Sequence, residues 1–210
     1  MGKTLSGRST GKDLAAYKAK RDFSRTREPS AGAAARKPAE KERLFVIQKH
    51  AARNLHYDFR LEMEGVLRSW AVPKGPPLAQ GDKRLAMHVE DHPMDYARFE
   101  GTIPQGQYGG GTVMVWDIGT YRVREGDPAA AYHSGKIALE LEGKKMKGSW
   151  ALVRVRRSDD AGKESWLLIK TGSSAVPISP RQEDKSVLTG RSMKQIADDK
   201  KSAQWDSNRG

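Results

Sequence analysis

Four polar side chains carry the first chemical signal: His50, His56, Asp58 and Arg60, all within HAARNLHYDFR. Imidazole nitrogens with a carboxylate suit Mn, Fe, Zn or Co. Arg60 is a permanent cation beside those candidate ligands, shaped to meet phosphate or carboxylate oxygens in pairs. The plainer reading is a surface histidine pair and an Asp58–Arg60 ion pair. A second group stands in LAMHVEDHPMDY, where His88, Glu90 and His92 recur at every second residue and Tyr96 follows. Pro93 predicts a strand end just after His92. Two stretches that each present histidine and acid on one face favour a site, although one of these histidines fits a structural role equally well. The glycine-rich IPQGQYGGGTV lacks the Gly-Lys-Ser/Thr of a phosphate loop and leads into strand-like sequence. Tight turning or close backbone packing is its expected role.

These groups need a scaffold, and the alternation around them supplies one. Leu55, Tyr57, Phe59 and Leu61 fall on one face of a half-buried strand, with His56, Asp58 and Arg60 on the other. Strand-like runs follow at 44–49, 55–63, 66–72, 85–90, 112–118, 121–124, 136–141, 149–156 and 165–170. Turn signals separate them, including Glu64-Gly65, Gly75-Pro76-Pro77, Gly109-Gly110-Gly111, Gly119 and Gly126-Asp127. Strands without long intervening helices predict a mainly β chain, an antiparallel barrel or sandwich. In the run 149–156, Arg154 and Arg156 are expected on an exposed or groove-facing side. Asp13–Asp22 reads as a short helix, and Ser192 with Gln195 is a capping-box pattern for a C-terminal one.

The 210 residues suffice for one domain with a core. With no cysteine, disulfides and thiolate metal sites are excluded, and a cytoplasmic protein is the simplest expectation. The opening MGKTLSGRSTGKDL has no apolar run for a signal peptide, and no stretch has the length of a membrane span. The formal charge of +12 is uneven: residues 1–43 hold 12 Lys/Arg against 5 Asp/Glu. A basic arm on a nearly balanced domain points to a polyanion, because each phosphate contact releases counterions. The expected division is a basic, partly flexible arm over 1–43, with 1–12 disordered and 24–43 a linker or wrapped arm. A barrel domain over 44–180 and a segment with a short helix and tail over 181–210 follow.

Taken in order, RDF…EP at 21–29, FVIQKHAARNLHYDFRLE at 45–62, SWAVPKGP at 69–76, VEDHPMDYARFEGTIPQGQYGGG at 89–111 and SVLTGR at 186–191 resemble the 3′-phosphoesterase domain of bacterial DNA ligase D. The resemblance covers roughly residues 15–195. It implies a compact β-barrel enzyme that removes a 3′-terminal ribonucleoside from DNA and then the 3′-phosphate, leaving a 3′-hydroxyl for end joining. By position it implies a manganese-type site (Co²⁺ or Zn²⁺ also possible) held by His50, His56 and Asp58. Arg60 and His92 match residues engaging the scissile phosphate, and Tyr96 lies in the same motif. Arg21, Asp22, Glu28, Gln48, Lys74, Arg84 and Glu90 match polar residues that line or support the site. His88 is outside the pattern and is assigned to structure. No Lys-x-Asp-Gly adenylation motif is present. A stand-alone, monomeric phosphoesterase acting on primer-template 3′ ends, with a ligase and a Ku-type end-binding protein in trans, is therefore the expectation. The rival readings are a non-catalytic nucleic-acid-binding barrel accessory to a ligase, which leaves the His-His-Asp set unexplained, and a mononuclear iron oxygenase, which Arg60 and the net charge disfavour.

Overall fold

The computed structural model describes residues 14–26, 28–29, 43–155, 164–173 and 177–199. The expectations for residues 1–12, for most of 30–43, for Arg156 and for the tail beyond 199 lie outside these. Nine strands follow a short helix α1 (Ala15–Ala19): β1 (Arg43–Ala51), β2 (Leu55–Met63), β3 (Val66–Val72), β4 (Lys83–Pro93), β5 (Gly101–Ile103), β6 (Gly111–Val123), β7 (Lys136–Gly143), β8 (Lys147–Val155) and β9 (Ser165–Lys170). A 3₁₀ turn (Met94–Arg98) links β4 to β5. Helices α2 (Pro128–Ser134), α3 (Pro180–Glu183) and α4 (Met193–Asp198) complete the order. Every pairing is antiparallel. The order β1-β2-β3-β4-β9-β8-β7-β6 closes through a β1–β6 pairing, and β5 lies outside the ring on β6. The chain is thus the expected antiparallel barrel with few, short helices. Among the described residues no helix is long and apolar enough to cross a membrane.

Local chemistry explains the connections. Glu64 and Gly65 both take positive φ (51° and 81°), which gives the two-residue hairpin between β2 and β3 the twist its strands need. Gly119, read above as a turn, instead sits inside one continuous strand. A Cβ there would lie 2.1 Å from the Glu142 carbonyl oxygen, so glycine lets β6 and β7 approach. Residues 127–135 hold a helix that the turn reading missed. Asp127 caps it by accepting the Ala129 and Ala130 N–H, Pro128 starts it and Gly135 (φ 82°) ends it. The capping box of Ser192 and Gln195 is present at α4.

The barrel has two apolar cores, one on each side of its wall. Inside, Phe45, Ile47, Phe59, Leu61, Trp70, Trp116, Trp150 and Trp166 pack together. Outside, α1, the 3₁₀ turn and β5 cover β1, β3 and β6 through Leu14, Tyr17, Val46, Leu67, Tyr96, Phe99, Val113 and Val115. Strand β2 is therefore buried on both faces from Asp58 to Met63, not half-buried as its alternation implies. Its polar face must be fully paired, since an unpaired buried charge costs several kcal/mol or more. In β8 the arginine parity is the core-facing one: Trp150 and Leu152 are buried, and Arg154 is exposed because the strand runs out of the barrel there.

Candidate active site

The site lies on the outer wall of the barrel, where β1, β2 and the bulged end of β4 meet under the N-terminal segment. His50 and His56 are direct cross-strand partners in the β1–β2 hairpin. Their rings stand 4.8 Å apart between centroids. Asp58 follows two residues on, on the same face. One ligand atom from each of the three lies within 4.8 Å of the others.

The second nitrogen of each imidazole is already committed. His50 Nε2 is 2.8 Å from the Gly109 carbonyl oxygen, and His56 Nδ1 is 2.9 Å from that of Asn54. A carbonyl only accepts, so these nitrogens carry the protons and the other two present lone pairs. Those are His50 Nδ1, 3.6 Å from one Asp58 oxygen, and His56 Nε2, 3.8 Å from the other. Two lone pairs and a carboxylate then converge without a proton between them, an arrangement that a divalent cation satisfies. Burial alone would raise the Asp58 carboxyl, but the Arg60 guanidinium holds it well below the usual carboxylate range. It is a ready anionic ligand at any physiological pH, and the donor set fits a borderline divalent metal.

Arg60 is 2% exposed and held from four sides. It donates to Gln48 Oε1 (2.8 Å), Ser69 Oγ (2.8 Å) and Asp58 Oδ2 (3.1 Å), and lies 2.9 Å from His92 Nδ1. Gln48 is itself fixed by donating to the Tyr96 and Phe99 carbonyls. A guanidinium with a scaffold this complete is preorganised.

His92 reaches the site through a β-bulge. Trp70 pairs with His88 and Ser69 with Val89, but Leu67 pairs with His92, so β4 carries one extra residue between Val89 and His92. Alternation slips across it. His88 faces inward, its ring 5.5 Å from Trp70 and its Nε2 3.1 Å from the Tyr132 hydroxyl. His92 faces outward, between Arg60 and Arg21, whose Nη2 is 3.2 Å from its Nε2. Its Nδ1 also lies 2.9 Å from the Glu90 carbonyl oxygen. Burial, then the charges of Arg60 and Arg21, push the imidazole well below its ordinary value. In the free protein His92 is neutral and holds no spare proton near neutral pH.

The N-terminal segment closes the far side. Arg21 donates to Glu28 (2.9 Å) and Glu90 (3.3 Å) and stacks 3.9 Å over the Tyr17 ring, which abuts His92 at 4.9 Å. Tyr96 packs 4.7 Å from His92 and 6.1 Å from Tyr17. Burial raises its phenol well above the ordinary value, so it stays protonated. Between these groups lies a pocket of about 170 Å³ whose walls include His50, His56, Asp58, Arg60, His92 and Arg21.

The other residues of the expected supporting set divide in two. Glu28, Gln48 and Glu90 are joined to the pocket as described. Asp22 is exposed and accepts from Ser24 in a turn. Lys74, exposed after β3, and Arg84, early in β4 and bonded to Asp82, stand at the same barrel end as His56 but do not line the pocket. Sequence reasoning missed Tyr17, Ser69, Tyr108 and the two carbonyls that orient the histidines. Tyr108 had one signal, its place in the glycine-rich stretch; backbone carbonyls have none.

Comparison with known proteins converges on one group. Residues 48–154 match the DNA ligase D 3′-phosphoesterase domain family. The chain is 50% identical over 162 residues to a multifunctional non-homologous end joining protein LigD of Pseudomonas aeruginosa, covering 77% of this chain and 19% of the relative. It is 48% identical over 144 residues to a multifunctional non-homologous end joining DNA repair protein LigD of Mycobacterium tuberculosis, covering 67% and 18%. With the corresponding protein of Mycolicibacterium smegmatis it shares 42% over 153 residues, covering 68% and 19%. The chain thus spans about a fifth of the length of these relatives.

Proposed function

Because the chain belongs to the DNA ligase D 3′-phosphoesterase domain family, we propose that it is a metal-dependent hydrolase that heals DNA 3′ ends for non-homologous end joining. Its substrate is a primer-template end. It removes a terminal 3′ ribonucleoside to leave a 3′-phosphate, then removes that phosphate to leave a 3′-hydroxyl. The observation that carries this reading is the pair of imidazoles whose lone pairs converge on Asp58 beside a buried, pre-oriented Arg60.

His50 Nδ1, His56 Nε2 and Asp58 would hold the metal, Mn²⁺ being the ion we assign. When bound, such an ion supplies Lewis-acid stabilisation of the charge that develops on phosphate oxygens. The chain's own residues do the rest. Arg60 and Arg21 flank the scissile phosphate and offer N–H donors to its equatorial oxygens. His92 lies between them. An entering phosphate offsets the two guanidinium charges and raises the imidazole, so that Nε2 takes up a proton and donates it to the phosphate or to the leaving oxygen. Glu28 and Glu90 orient Arg21, Gln48 and Ser69 orient Arg60, and Tyr96 walls the pocket from water. Lys74 and Arg84, with the basic segment 1–43, bind the DNA leading away from the pocket. We place the reaction in the cytoplasm, on a monomeric barrel domain acting beside a DNA ligase and a Ku-type end-binding protein.

The test is metal stripping followed by Mn²⁺ addition, with a labelled 3′-phosphate primer-template and its ribonucleoside-terminated parent. Conversion of both to a 3′-hydroxyl only after metal returns is the expected result. DNA binding without conversion under any metal favours the non-catalytic barrel instead.

A further inference from the structure

We propose that Tyr108 is an aromatic platform at the pocket mouth, on which the base of the terminal nucleoside beyond the scissile phosphate stacks. The inference rests on the phosphoesterase reading and specifies how its diester substrate is held. Among the described residues only three large hydrophobic side chains are exposed, and Tyr108, at 48%, is the one that lines the pocket. Burying so large a ring elsewhere would be favourable, yet the fold holds it in solvent beside a phosphate-sized, cation-lined cavity.

The ring is also fixed. Gln107 N–H donates to the Pro104 carbonyl (3.1 Å) and Gly110 N–H to that of Gln107 (3.0 Å), so two successive turns set the loop. Gly106 and Gly109 take left-handed φ of 84° and 75° to make them. The next residue's carbonyl, that of Gly109, receives the His50 N–H, which ties the platform's position to the metal site. The Tyr108 hydroxyl donates to Glu90 (3.2 Å) and accepts from Lys20 (3.3 Å). Lys20 Nζ lies 4.6 Å from the ring centroid and Arg21 5.5 Å. A tethered π-face flanked by cations is what tolerates any base while its neighbours meet the phosphates, and a pre-set ring loses little freedom when the base arrives.

The experiment compares two substrates that share the reacting phosphate: a primer ending in a 3′ ribonucleoside and the same primer ending in a 3′-phosphate. In Tyr108→Ala and Tyr108→Leu, KM for the nucleoside-terminated substrate rises by about 5- to 100-fold more than KM for the phosphate-terminated one. Tyr108→Phe keeps the wild-type ratio although it loses both hydroxyl contacts. A rise equal for both substrates, or a ratio that follows the hydroxyl and not the ring, overturns the platform. A direct reading comes from 2-aminopurine as the terminal base, bound to metal-free protein: its fluorescence falls with Tyr108 and Phe and does not fall with Ala or Leu. If the wild type cleaves neither substrate, the enzymatic reading fails, and this quenching alone then decides for or against the platform.

Discussion

His88 and His92 lie four residues apart in one strand, at the same parity, and end on opposite sides of the barrel wall. His88 joins an aromatic cluster with Trp70, Tyr132 and Trp166, away from the pocket. His92 joins two arginines and a pocket. Burial lowers both imidazoles, but guanidinium charge adds to it mainly at His92. One bulge residue converts a core histidine pattern into a site histidine, and the inner and outer faces of the wall then answer to different physics: packing inside, charge pairing outside.

The largest effect that separates the faces is expected at the metal ligands. Asp58→Ala and His50→Ala should reduce phosphoesterase activity to background and abolish Mn²⁺ binding measured by electron paramagnetic resonance, with the far-ultraviolet circular dichroism of the barrel retained. Full Mn²⁺ affinity in either variant would contradict the assignment. The two β4 histidines come next. His92→Gln should lose about 10²–10⁴-fold in turnover while its thermal midpoint changes little. His88→Gln should keep turnover and lose about 1 kcal/mol of stability with its Tyr132 contact disturbed. Equal loss of activity in both would mean that the bulge does not divide their roles.

Arg60 tests how specific the outer face is. Lysine retains the charge but cannot serve Gln48, Ser69 and Asp58 at once and still offer a planar fork to phosphate. Arg60→Lys should therefore fall by about 10²–10³-fold in rate and still bind Mn²⁺. A rate within a few-fold of wild type would reduce Arg60 to a counter-ion for Asp58.

The inner face was the legible one. Of the alternating Leu55, Tyr57, Phe59 and Leu61, the last three do mark the core side of β2 while Leu55 is exposed at the strand's start, and the Glu64-Gly65 signal fixes its hairpin. The outer face was legible in residue types, since His50, His56, Asp58, Arg60 and Tyr96 do meet at one pocket. Three things had no local signature. The bulge before His92 depends on how β4 registers against β3, and the burial of β2's polar face depends on Gln48, Ser69, His92 and Tyr96 arriving from other elements. Gly119 reads as a turn because its reason, the Glu142 carbonyl, comes from a distant strand. Asp22, Lys74 and Arg84 matched a family pattern, but none of them lines the pocket.

The smallest expected effect is a titration that sets the two histidines against each other. Each has a folded pKa below its ordinary value of 6.5, so the unfolded chain takes up protons first as pH falls. Each therefore stabilises the fold above about pH 6.5, and that contribution is lost progressively below it. Asp58, held below its usual range, loses its contribution only in the more acidic carboxylate window. The shared sign hides different causes. Inorganic phosphate entering beside Arg21 and Arg60 cancels the charge that depresses His92, and should raise its pKa; the charges that act on His88, those of Glu164 and Arg68, do not line the pocket. Proton–carbon nuclear magnetic resonance of the histidine Cε1 positions in metal-free protein, with and without phosphate, should show His92 moving up and His88 fixed. Phosphate should accordingly bind more tightly as pH falls through the His92 transition, since binding and protonation are linked in the same direction. If both histidines shift together, the wall does not insulate them; if neither shifts, phosphate does not enter between the two arginines.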